Sequence, residues 1–238
     1  MRKLLLISLA LTTYSLPLSA QQDSGFTNKT EARNQMLDGK KEGKWVEYLD
    51  SLKKPTLDAN APFYVLAIYK ADKADGIKRY YSKSGLLLCF YHFTNGKKNG
   101  IARDYYDSGK PMGMYPYKDG KMEGVVKTYY ENGQLKSEEP NKDDKLDGLE
   151  EIYYENGKLK MEGTYSAGKK IGIFKTYYEN GKLKVEDPYS NDKRNGGYKE
   201  YNENGKLQRE IQYTNGKMGE ATNHNADGSD IKPIIWQK

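Results

Sequence analysis

The chain has 238 residues, of which 36% are hydrophobic and 30% charged, and its mean hydropathy of -0.95 excludes a large compact core. A formal net charge of +6, with both signs alternating closely along the chain, describes a solvated charged surface and argues against nucleic-acid binding. The 22 Tyr and 24 Gly beside 5 Phe and 2 Trp suggest many short strands, tight turns and a thin core.

The chain opens with Arg2 and Lys3, an apolar run from Leu4 to Leu11, and small residues ending at Ala20. This is the layout of a secretory signal peptide over residues 1–20, formed as a short helix and cleaved before Gln21. The run is too short for a stable bilayer anchor, and no later segment is apolar enough to span a membrane. Position 21 is Gln, so the Cys that bacterial lipoproteins acylate is absent there. Loss of Arg2 and Lys3 would lower the formal net charge from +6 to +4. Export is therefore expected, to a periplasm, an outer surface or the medium.

Residues 21–42 read as an N-terminal lead that caps a repeat array. From residue 43 to about 230 the chain repeats. A glycine recurs every 24 residues at Gly76, Gly100, Gly124, Gly148, Gly172 and Gly196. Gly43 begins an earlier copy, displaced by an insertion at about residues 50–59 that reads as a surface loop, and Gly219 begins a late one. Asn60 to Tyr69 (NAPFYVLAIY) fits an apolar strand closing the irregular first copy.

Within the copy Gly148–Ile171, Leu149 to Tyr154 makes a strand, Glu155-Asn156-Gly157 a tight turn, and Lys158 to Tyr165 the return strand. Asn-Gly supplies the positive φ of hairpin turns. Leu159, Met161 and Tyr165 alternate with Lys158, Lys160, Glu162 and Thr164, the period-2 pattern of a strand wet on one face. Pro116, Pro140 and Pro188 share one position late in the return strand, where a missing N–H must be tolerated. Asp144 and Asp192 stand where other copies have the loop glycines Gly96, Gly120 and Gly168, so those loops adopt a related turn that Asp accepts. The tyrosines five positions after the repeat glycine, among them Tyr129, Tyr153 and Tyr177, are expected to pack inward. Cys89, the single cysteine, lies among Leu86, Leu87, Leu88 and Phe90 and reads as a buried, inert thiol. The tail 231–238 caps the far end.

These copies resemble the MORN-repeat variant family. GVVKTYYENGQLKSEE from Gly124, GLEEIYYENGKLKMEG from Gly148 and GIFKTYYENGKLKVED from Gly172 carry the glycine, the Tyr-Tyr pair, the Asn-Gly turn and Lys-Leu-Lys. The resemblance covers about Gly39 to Gly228, with departures at Trp45 and the insertion in the first copy and at His224 in the last. It implies an all-β, elongated, single-layer meander of antiparallel hairpins. It also implies one of two roles: an antitoxin half of a toxin–antitoxin pair, or an envelope protein.

No reaction is legible. His92 and His224 share no ligand spacing with Cys89, no Ser/His/Asp pattern occurs, and each glycine sits in a hairpin turn rather than before a helix. No cofactor or metal is expected. Glu138, Glu162, Glu186 and Glu210 form a row whose expected partners are lysines on adjacent strands. The candidate binding residues are Tyr106, Tyr130, Tyr154 and Tyr178, the second members of the Tyr-Tyr pairs, which should face away from the first members. They could anchor a protein partner or stack on a cell-wall glycan. The expected function is that of an exported, non-enzymatic repeat protein that binds another protein, with antitoxin and glycan-binding roles as alternatives.

Overall fold

The computed structural model describes residues 26–225 and 229–231; the expected signal segment 1–20 and most of the tail lie outside them. Apart from a single 3-10 turn, Lys29–Glu31, the described elements are strands. Each strand pairs antiparallel with its neighbour in sequence, from Gln35–Leu37 to Asp230–Ile231, so the chain is one long meander of hairpins. A meander of this kind needs no crossover, because every connection is a turn between adjacent strands.

The hairpin Gly148–Tyr153 and Leu159–Ser166 represents the unit. Its tip is Tyr154-Glu155-Asn156-Gly157, closed by Tyr154 N–H to Lys158 O at 2.8 Å and Gly157 N–H to Tyr154 O at 2.9 Å. Gly157 has φ +80°, whereas Asn156 keeps negative φ and uses its Oδ1 to accept from Lys158 N–H at 3.0 Å. The turn is the bulged form, in which one left-handed glycine suffices. The bulge shifts the register: Leu159 stands opposite Tyr153 and Met161 opposite Ile152. Leu159 and Met161 thus occupy opposite faces, where plain alternation places them on one. The same shift recurs in the neighbouring hairpins.

At the other end of each hairpin, two successive left-handed residues make a type I′ turn. Asn95-Gly96, Asp119-Gly120 and Ala167-Gly168 do so, and Asp143-Asp144 and Asn191-Asp192 adopt the same angles without glycine. The aspartates add a tie that glycine lacks. Asp144 Oδ1 accepts from Met122 N–H at 2.7 Å and Asp192 Oδ1 from Lys170 N–H at 2.9 Å, each one repeat back. The chain then bends at the repeat glycine. Gly148 has φ +135°, and a Cβ there would lie 2.9 Å from Pro140 Cβ. Glycine is required at this corner both for the angle and for the proline's approach.

The sheet has two unlike faces. On one lie Glu150 opposite Gly163 and Ile152 opposite Met161; on the other lie Leu149 opposite Thr164, Glu151 opposite Glu162, and Tyr153. The first face is the core. Its second-position residues Ala102, Val126, Glu150 and Phe174 are 1%, 5%, 8% and 6% exposed. Phe174 lies between Tyr165 and Tyr189 in edge-on contacts at 5.3 and 5.2 Å. The fifth-position tyrosines lie on the other face and are half-buried, so the expected inward row is displaced to the second position. Tyr81 is the exception at 7% exposure, because the N-terminal lead covers it. Phe26, fully buried, packs with Leu66 and Tyr81 and with Val46, Tyr64 and Leu87. The insertion is largely exposed, with Pro55–Thr56 pairing onto Tyr48 and Leu49.

Candidate partner-binding face

The second face carries three parallel rows, each set by one position of the repeat. The first row is apolar: Ile101, Val125, Leu149 and Ile173, 42–53% exposed, follow the repeat glycine directly. Ile101 pairs with Pro116, Val125 with Pro140 and Ile173 with Pro188, so prolines widen the apolar row. Four large aliphatic side chains aligned and uncovered make a contiguous patch rather than the scattered exposure of an ordinary surface.

The second row is charged. Lys127 pairs with Glu138, Lys175 Nζ lies 3.5 Å from Glu162, and Lys199 Nζ lies 3.9 Å from Glu210. These are the expected cross-strand pairs. Glu151 replaces the lysine in one copy, so Glu138, Glu151 and Glu162 stand side by side. The third row is tyrosine. The Tyr177 hydroxyl donates to Glu162 Oε1 at 2.7 Å and Tyr201 to Glu186 Oε2 at 3.0 Å. Burial first, then the glutamate partner, pushes both phenols up to about 12. The glutamates are held by a lysine or tyrosine on neighbouring strands. This is the arrangement of a structural ladder, since a catalytic pair needs environments that separate two pKa values.

Tyr106, Tyr130, Tyr154 and Tyr178 stand just past the strand ends, in one row along the edge formed by the hairpin tips. Their hydroxyls donate to the carbonyls of Tyr129, Tyr153, Tyr177 and Tyr201 at 2.7, 2.7, 2.6 and 2.8 Å. Each bond joins one repeat to the next. Lys136, Lys160 and Lys184 lie over the rings of Tyr130, Tyr154 and Tyr178 at 5.7, 5.4 and 5.3 Å. The hydroxyls are therefore engaged within the chain, and what the row offers outward is the uncovered part of each half-buried ring.

A cavity of about 360 Å³ opens on the second face, lined by Arg103, Tyr105, Pro111, Met114, Tyr129 and Gly133. Another, of about 240 Å³, opens on the core face around Asp187 and Arg194. There Arg194 grips both oxygens of Asp187 at 2.9–3.1 Å and lies over the Tyr198 and Tyr213 rings. That pair closes on itself. Cys89 is free and half-buried, and burial, with the nearby Asp104 charge, pushes its thiol up to about 11. Among the described residues no cluster of three or more His, Cys, Asp or Glu is placed to hold a metal ion. No helix among them is long and apolar enough to cross a membrane.

Sequence reasoning missed the apolar row. Its signal was present: aligned in the 24-residue frame, the position after the glycine is Ile101, Val125, Leu149 and Ile173 in four successive copies.

An open array of similar hairpins with one largely uncovered face is a repeat-module protein, in which units contact chiefly their neighbours. The sequence profile of the MORN repeat variant family matches five successive stretches, residues 98–119, 122–142, 146–167, 170–191 and 194–215. Across these repeats the chain belongs to the MORN repeat variant family. MORN repeats are commonly modules that bind proteins or lipids, and the family is not known for catalysis. A comparison with curated proteins gave no match.

Proposed function

We propose that this chain is an exported, non-enzymatic binding protein of the cell envelope or exterior, whose second face holds a protein partner. The apolar row Ile101, Val125, Leu149 and Ile173 carries the reading, because large aliphatic side chains left uncovered in line are what a partner's apolar surface desolvates. The charged row beside it sets register and orientation at little energetic gain, as rim charges do. The layout of residues 1–20 supports export.

Two measurements test this. A photo-crosslinking residue at Leu149, introduced in the native host, should yield a protein adduct that disappears when Ile173 is changed to Glu. A lipid or glycan adduct in its place would sink the protein-partner reading. Fractionation with sequencing of the mature N-terminus should find a chain starting near Gln21 outside the cytoplasm. An uncleaved cytosolic chain would overturn export and favour an antitoxin role against a cytoplasmic toxin.

A further inference from the structure

The N-terminal lead shows how this face takes a peptide. The lead crosses the first repeats, its Phe26 ring filling the space between Leu66, Tyr81 and Leu87. The carbonyl of Phe26 accepts from Arg79 Nη1 at 3.1 Å, a buried hydrogen bond to a charged donor. Arg79, Tyr81 and Leu87 hold the third, fifth and eleventh positions after the repeat glycine Gly76.

Twenty-four residues on, the same positions are Arg103, Tyr105 and Pro111. They line the 360 Å³ cavity, with Met114 and Tyr129 as its far wall. The cavity lies one step along the sheet from the covered region: Phe90 pairs across the strands with Arg79 on one side and Arg103 on the other, and its ring sits 6.3 Å from that of Tyr105. Arg103 differs from its counterparts Lys127, Lys175 and Lys199, which are tied to glutamates. Its guanidinium lies 5.9 Å over the Phe90 ring, and no ion pair or side-chain hydrogen bond engages it among the described residues. Its fork of donors is therefore available to a carbonyl, as that of Arg79 is to Phe26.

We infer that this cavity is a second peptide seat: it takes an aromatic side chain from an extended segment of a partner protein, with Arg103 donating to that residue's backbone carbonyl. The ring would fill the Tyr105–Pro111–Tyr129 space as Phe26 fills its own. The exposed row from Ile101 onward would then carry the rest of the segment across the sheet. This rests on the protein-binding reading above and adds the chemistry of the partner.

The test uses the full chain with its methionine methyls labelled for NMR and a synthetic peptide, QDSGFTNKTEARN, that copies residues 22–34. Titration should shift the Met114 methyl. The same peptide with Ala in place of Phe26 should bind at least tenfold more weakly, and so should the parent peptide to an Arg103→Gln chain. Arg103→Gln leaves the apolar wall of Tyr105, Pro111, Met114 and Tyr129 in place, so weaker binding reads the lost donor and not a collapsed cavity. An unmoved Met114 methyl at millimolar peptide overturns the inference. So does a shift confined to Met36, which would mark exchange with the chain's own lead. So does equal binding of the Ala peptide. Because the crosslink at Leu149 reads the apolar row and not the Arg103 cavity, loss of the seat with a surviving crosslink would remove this inference and leave the broader reading standing.

Discussion

Gly163 decides how the core face is packed. It lies directly opposite Glu150, and a Cβ there would fall 2.1 Å from Cδ1 of Phe174. The missing side chain is what lets the Phe174 ring lie across the strand, and Gly113 makes the same room for Tyr115. Gly163→Ala should therefore destabilise the protein by about 1–3 kcal/mol, the usual cost of overpacking. Chemical denaturation checks this, and a Phe174→Leu background should recover part of the loss. The glycine is visible in the sequence, but its reason is not: the turn glycines recur in frame, whereas Gly113 and Gly163 sit mid-strand, against the expectation that each glycine lies in a hairpin turn. Conversely, the Asp-for-Gly exchange at Asp144 and Asp192 was legible, because aspartate tolerates left-handed angles and can bond to backbone.

At the scale of a hairpin, a buried carboxylate titrates against its neighbour. Glu150 is 8% exposed, and its Oε2 has no hydrogen-bond partner. Burial first, then the charge of Glu139 on the adjacent strand, raises its pKa, against the opposing pull of the Tyr165 hydroxyl and Lys170. A carboxyl held above its ordinary value keeps its proton more firmly folded than unfolded. Stability is then fully present below the unfolded pKa and falls as pH rises through the raised one. Glu150→Gln should flatten that fall. The variant should match the wild type near pH 4 and exceed it at neutral pH. Parallel stability curves between pH 4 and 8 would contradict this. The sequence marks Glu150 as one more charge in a charged strand. Its burial follows from the second-position register, which the tip bulge sets.

Across the whole molecule, stability is a sum of units and the contacts between them. The N-terminal lead is the largest departure from that uniformity, since it covers a face that later repeats leave open. Phe26→Ala removes a fully buried ring and should cost about 3–5 kcal/mol. In a linear array the damage stays local. Hydrogen exchange should rise in the strands Phe63–Lys70 and Gly76–Ser82 and remain unchanged in Leu159–Ser166 and beyond. Uniform loss of protection along the chain would mean the array unfolds as one unit.

The sequence alone determined the hairpin, its 24-residue period, its turns, the cross-strand lysine and glutamate pairs and the family, because these depend on contacts within one or two repeats. It could not assign faces. A one-residue bulge at each tip moves Leu159 across the sheet, and the second-position residues that become buried, Ala102, Val126, Glu150 and Phe174, share no chemical type that a pattern could reveal. Nor could it say which part of a face is covered. Phe26 meets Arg79 across 53 positions, and a contact so distant in sequence leaves no periodic mark. Tertiary structure decided it, by laying the lead over the first repeats and leaving the row from Ile101 to Ile173 open.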